Sequence, residues 1–216
     1  MDKFLLMFSG GKDSLATYLS LIESHGKDNV LPFMIQSNVP QLWSDAVDSF
    51  VNNCYTQNLL KINVGSEVYY QKLLDVLNEK NIDSSKYYFS AGENDLIYEM
   101  ATYYPVVKLF DMKGLVSPLL NKPKDIMFNY LKRYNCEFVV TYISAQNVSL
   151  AQTEFIGKRL TASELEEIYN NPQITNFYRL QTLAVKCDGV INSSEEQINQ
   201  LINDIKGSID QRILIV

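Results

Sequence analysis

Short apolar runs alternate along the chain with stretches whose apolar residues recur every three or four positions. The first run, Phe4 to Phe8, contains no polar residue and ends at Ser9-Gly10-Gly11. A strand without an alternating polar face is buried on both sides, the situation of a parallel sheet. After the glycines, Leu15, Tyr18, Leu19 and Ile22 share one helical face and Gly26 suits a helix stop, so residues 13–25 read as a helix. Val30 to Ile35 is the next strand. Strand, helix and strand in this order form a βαβ unit with a right-handed crossover.

The alternation continues. Helices are expected over 41–53, Glu67 to Lys80, Glu93 to Tyr103 and Pro123 to Tyr134, the last opened by a proline tolerated in a first turn. Strands are expected at Leu59 to Val64, Tyr87 to Ala91, Gly114 to Leu119 and Phe138 to Ile143. Such a sequence of elements predicts an α/β fold, a doubly wound parallel sheet of Rossmann-like type with helices on both faces. From residue 144 the rhythm changes: Thr161 to Tyr169 is an amphipathic helix, Asn170-Asn171-Pro172 breaks the chain, Glu195 to Ile205 is a final helix, and Arg212 to Val216 reads as a terminal strand. The expected organisation is an α/β domain over 1–143 and a C-terminal elaboration over 144–216 packed on it.

Composition narrows the function. The 216 residues are 46% apolar and 20% charged, an ordinary globular balance. A net charge of −6 gives no global field for nucleic acid or anionic lipid, so neither is an expected partner. The N-terminus is too polar and its apolar run too short for a signal peptide, and no apolar stretch is long enough to span a membrane, which points to the cytoplasm. Three dispersed cysteines and a single histidine, His25, fit neither a zinc pattern nor a disulfide framework. Cys54 and Cys136 read as packed thiols, whereas Cys187, between Lys186 and Asp188, has the one sequence context suited to reactivity.

The chemistry is concentrated in Ser9-Gly10-Gly11-Lys12-Asp13-Ser14, between the first strand and the first helix. A parallel sheet places ligands there, at the carboxyl ends of its strands. Two glycines let the backbone turn and present N–H groups, the helix start adds about half a positive charge, and Lys12 adds a full one. Ser9 and Ser14 offer hydroxyls, and Asp13 can cap the helix or hold a magnesium ion that arrives with phosphates. A Walker A loop is excluded, because Leu6 stands where its first glycine would be and Asp13 follows the lysine.

Instead, SGGKDS resembles the PP-loop of the ATP pyrophosphatases, the adenine nucleotide α-hydrolase-like superfamily. Within it, the order of Gly92, Ser117-Pro118-Leu119-Leu120, the strand Phe138 to Ile143 followed by Ser-Ala-Gln-Asn, and Ile156-Gly157-Lys158-Arg159-Leu160 is similar to the diphthine–ammonia ligases, over residues 1–169. The resemblance implies ATP and Mg2+ as cofactors, Lys12 and Asp13 as catalytic groups, and a nucleotide site formed by Ser9, Gly10, Gly11, Lys12, Asp13, Ser14, Gln36 and Gly92. It further implies adenylation of a small-molecule or protein-borne carboxylate and capture of the acyl-adenylate by ammonia or an amine. Glu93 and Asp95 either approach ATP or its metal or serve as first-turn capping acids, and Lys158 and Arg159 either clamp the substrate or form a solvated basic turn. The acidic Gly-Glu-rich segment of those ligases has no counterpart, since Tyr178 to Ile191 with Cys187-Asp188-Gly189 stands there, and the acceptor is left open. Thionation through the same adenylate and a non-catalytic nucleotide-binding module, as in electron-transfer-flavoprotein-like relatives, are the alternatives; a homodimer is also left open.

Overall fold

The computed structural model describes residues 1–37, 45–56, 58–64, 69–92, 96–145, 153–172, 178–208 and 213–215. Its strands are β1 (Lys3–Met7), β2 (Val30–Ser37), β3 (Leu60–Val64), β4 (Tyr87–Ser90), β5 (Gly114–Leu115), β6 (Glu137–Ala145), β7 (Arg159–Thr161), β8 (Tyr178–Lys186) and β9 (Ile213–Ile215). The helices are α1 (Lys12–His25), α2 (Asp45–Cys54), α3 (Tyr69–Glu79), α4 (Leu96–Leu109), α5 (Lys124–Arg133), α6 (Ala162–Tyr169) and α7 (Glu195–Gly207). They fall into two compact units, Met1–Ser37 with Asn58–Tyr130, and Asn38–Gln57 with Leu131–Val216.

In the first unit the strands lie in the order β3-β2-β1-β4-β5 and every neighbouring pair is parallel. Alternate residues of the apolar runs supply two cores. Leu5, Phe33 and Phe89 point to one face and pack with Leu73 and Leu77 of α3, Val106 of α4 and Phe110 just after it. Phe4 and Phe8 point to the other face, where α1 covers them; Phe8 meets Tyr18 at 5.8 Å and Phe4 meets His25 at 4.4 Å between ring centroids. Burial of each such side chain contributes about 1.5–3 kcal/mol, which is why the runs carry no polar alternation. Gly26 ends α1 at φ 86°, a left-handed backbone a side chain would strain, and donates its N–H to Ile22 O. The α/β class and the helices on both faces therefore follow from the sequence as expected.

The second unit departs from expectation. β6, anticipated as a further parallel strand, is the centre of a separate sheet: antiparallel to β7 and β8, and parallel to β9. β8 takes one edge of β6, while β7 and β9 share the other, beside its first and last residues respectively. Residues 38–57 also belong here rather than to the first unit, because the end of α2 is pinned to the turn after β8. Thr56 N–H donates to Val190 O at 3.0 Å and Asn192 N–H to Cys54 O at 2.8 Å. The division thus falls within α5, after residue 130, and not after residue 143. α6 and α7 each begin with a capping box, Thr161 with Glu164 and Ser194 with Gln197. Among the described residues no helix is long and apolar enough to cross a membrane.

Candidate functional site

The strand order creates one particular crevice. The chain passes outward from β1 to β2 and β3, then returns to place β4 on the other side of β1. Connections leave β1 and β4 in opposite directions, so the carboxyl ends of these two strands open a gap at the topological switch point, where doubly wound sheets bind ligands. Ser9 to Ser14 follows β1 and Gly92 follows β4. The loop singled out by sequence and the glycine singled out by motif order are the two sides of that gap.

They touch closely. A Cβ on Gly92 would lie 2.5 Å from Ser14 N and 2.7 Å from both Asp13 C and Ser14 Cα. Only glycine lets the backbone after β4 press against the first turn of α1. The neighbouring segment is tied in as well: Val116 N–H donates to Phe89 O at 2.9 Å and Ser117 Oγ to Ala91 O at 3.3 Å. This gives Ser117 of the Ser-Pro-Leu-Leu motif a local role, holding the chain after β5 against the end of β4.

The loop is shaped by its own serines. Ser9 N–H donates to Ser14 Oγ at 3.2 Å, Gly11 N–H to Ser9 Oγ at 3.3 Å, and Ser14 Oγ to Gly11 O at 3.1 Å; the two hydroxyl oxygens stand 3.1 Å apart. With the Ser14 proton directed to Gly11 O, Ser9 is the donor between the hydroxyls. Gly10 sits at φ 76°, which glycine adopts without strain. The first helical bond runs from Leu15 N–H to Gly11 O at 3.0 Å, so the N–H groups of Lys12, Asp13 and Ser14 precede the ladder at the positive end of the helix. Gly11 is the N-cap and no side chain caps the helix, so Asp13 is not the cap the sequence allowed for. Its Oδ2 instead accepts from Lys12 Nζ at 2.5 Å, with the Lys12 side chain only 12% exposed. The carboxylate thus holds the ammonium against the loop, where an arriving phosphate would compete for it.

Gln36 is buried near the end of β2, whose last four residues extend beyond the pairing with β1 along the same carboxyl edge. Nothing in the sequence marks Ser90, yet it belongs to the same crevice. It is the last residue of β4, opposite Leu6 of β1, and is fully buried; among the described residues its hydroxyl has no hydrogen-bond partner. A lone serine inside a strand belongs to no motif, and only burial without a partner draws attention to it. Glu93 and Asp95 lie outside the described residues.

Lys158 and Arg159 belong to the second unit. The Arg159 guanidinium donates through Nε to Glu137 at 2.5 Å and through both terminal nitrogens to Glu195 at 2.6 and 3.0 Å. These bonds raise the Arg159 pKa and hold the Glu195 carboxyl below its ordinary value. A substrate carboxylate would have to displace Glu195 to use this fork. Lys158 is exposed, with its ammonium 5.4 Å from the centre of the Phe155 ring. Cys187, the one thiol whose sequence context suited reactivity, is fully buried, as are Cys54 and Cys136.

The first unit is thus a parallel α/β unit with a lysine-bearing, glycine-containing loop at the switch point of its sheet. No protein-family model matches the chain, and no curated protein matches it. Among solved structures, one it is similar to is that of a predicted subunit of tRNA methyltransferase from Methanocaldococcus jannaschii, 15% identical, covering 87% of this chain and 98% of that one with a TM-score of 0.42. The fold assignment rests on the strand order and register, not on that likeness.

Proposed function

We propose that the chain is an ATP-dependent adenylating ligase of the PP-loop type, which activates a carboxylate and passes the acyl group to ammonia or an amine. The observation that carries the reading is the seating of Gly92 against Asp13 and Ser14, which joins the two motif elements at the one place where a doubly wound sheet receives a ligand. In this reading the backbone N–H groups of the loop, Ser9, Ser14 and Lys12 hold the pyrophosphate portion of ATP, and Gln36 lies on the adenine side. A carboxylate oxygen attacks the α-phosphorus, the bond to the β,γ-pyrophosphate breaks, and pyrophosphate leaves into the cradle. The amine nitrogen then attacks the acyl carbon and AMP leaves, forming the amide.

Mg2+ binds nucleotide sites through one or two carboxylates and completes its shell with phosphate oxygens and water. Asp13 is the carboxylate in place to hold it, and the ion would neutralise phosphate charge. The burial of all three cysteines favours ammonia or an amine over a protein-borne sulfur as the second nucleophile. The test is chromatography of the nucleotide spent with MgATP, ammonium and a panel of carboxylates. AMP and pyrophosphate that depend on a carboxylate are expected, whereas ADP and phosphate as products overturn the reading.

A further inference from the structure

Cys54, Cys136 and Cys187 are far apart in sequence, yet the fold of the second unit brings them together. Cys136 precedes β6 and Cys187 follows β8, and the pairing of Glu137 with Lys186 places the two cysteines opposite each other on neighbouring antiparallel strands. Their backbones do not bond to each other. Cys136 donates its N–H to Leu131 O and accepts from Ala162, while Cys187 O accepts from Val190 and Ile191. In antiparallel sheets such non-hydrogen-bonded pairs bring side chains closest, with Cα atoms about 4.5 Å apart, inside the range a disulfide spans. The sulfurs stand 3.2 Å apart, with the Cys136 S–H directed at Cys187 Sγ.

Cys136 also borders a cavity of the second unit. A cavity of about 190 Å3 is lined by Lys132, Asn135, Glu137, Thr161 and Ser163, and Cys136 forms part of its wall. Cys54 sits in the wall of a different cavity, between α2 and α7. Near all three thiols, the Tyr55 hydroxyl donates to Ala184 O at 2.9 Å, and burial first, then the thiols, hold its pKa well above that of an ordinary phenol. The three thiols are therefore packed around a buried phenol.

We propose that Cys136 and Cys187 are a redox-active pair that closes to an intramolecular disulfide when hydrogen peroxide enters the cavity beside Cys136. The peroxide meets Cys136 first. A sulfur–oxygen bond forms as the O–O bond breaks, and the departing oxygen takes up the thiol proton and leaves as water. Cys187 then attacks that sulfur; the S–S bond forms, the S–O bond breaks, and the departing hydroxide takes up the Cys187 proton and leaves as a second water. Two electrons pass from the two thiols to one peroxide. The bond from Cys136 to Cys187 and the burial of both keep the Cys136 proton in place, so the reaction is slow compared with an exposed cysteine. This inference is independent of the adenylation reading, because no step of that chemistry uses a thiol.

The test uses the reduced full-length protein under native conditions, treated with hydrogen peroxide, quenched with catalase, then denatured, alkylated, digested and weighed. The expected product is a single linked pair of peptides containing Cys136 and Cys187, about 2 Da lighter than the two dithiol peptides together, with Cys54 alkylated. Dithiothreitol should return all three cysteines to the alkylated form, and Cys54→Ser should leave the link unchanged. Alkylation of all three cysteines after peroxide, a link that includes Cys54, or sulfinic acid at Cys136 or Cys187 in place of the link would overturn the proposal.

Discussion

Substitution of Gly92 by alanine tests the seating of the β4 end against the loop, and its consequences can be worked from the contacts. The added methyl would lie 2.5 Å from Ser14 N, while ordinary contact begins near 3.4 Å, so one backbone must move by roughly 0.9 Å. Neither neighbour is a flexible side-chain tip, because the nearest atoms all belong to the backbone of the first turn of α1. The glycine is not in a left-handed conformation, so the penalty is contact alone and not backbone strain. Overpacking of this size costs about 1–3 kcal/mol of stability. The loop carries the larger effect: displacement of binding groups by about 1 Å lowers turnover on the order of 100-fold. The assay pairs thermal unfolding with calorimetric titration of MgATP. A control is Gly189→Ala, where φ is 71° but the methyl would meet nothing within 4 Å, so only a local backbone cost is expected and ATP binding should be unchanged. If Gly92→Ala melts and binds MgATP like the parent, the two sides of the crevice are not coupled and the site assignment fails.

Replacing Lys12 by alanine should remove charge-assisted bonds worth about 1.5–3 kcal/mol, a loss on the order of 10- to 100-fold in ATP affinity, with the far-ultraviolet spectrum preserved. Arg159→Gln should act differently, lowering the unfolding midpoint while leaving ATP affinity intact, because its partners are Glu137 and Glu195; a loss of ATP binding with full stability would contradict this. The Glu195 carboxyl has a depressed pKa in the folded state, so its contribution is present above the ordinary glutamate value near 4.3 and is lost as pH falls through the folded value. The difference in midpoint between the parent and Glu195→Gln should therefore shrink as the pH is lowered from 6 toward 3, and a constant difference would show that the pair does not act through its charge.

Much of the first unit was legible because each feature is local. An apolar run ending in glycines, a helix with one apolar face and a strand after a glycine stop together define β1, α1 and β2, and the loop chemistry follows from its position. What the sequence did not show depends on tertiary pairing. β8 carries Leu180, Leu183, Ala184 and Val185 as buried residues out of strict alternation, so a period-two search passes over it. β7 is three residues long and runs directly into α6, too short for any period. α2 has the amphipathic pattern of a crossover helix, and tertiary bonds such as those of Cys54, Tyr55 and Thr56 to Asn192, Ala184 and Val190 assign it to the second unit. Helix α4 likewise runs past Pro105 to Leu109, beyond the end the apolar pattern suggested. The sequence left Arg159 between a substrate clamp and a solvated basic turn because its carboxylate partners, Glu137 and Glu195, are remote in the chain.

The central claim is that residues 9–14 hold the pyrophosphate portion of ATP, and backbone amide resonances report on those atoms directly. Titration of the 15N-labelled protein with MgATP, and separately with inorganic pyrophosphate, should shift the amides of Gly10, Gly11, Lys12, Asp13 and Ser14, with Gly92 following, while the Arg159 Nε signal stays in place. Saturable ATP binding that leaves the Gly10 to Ser14 amides unmoved would contradict the account.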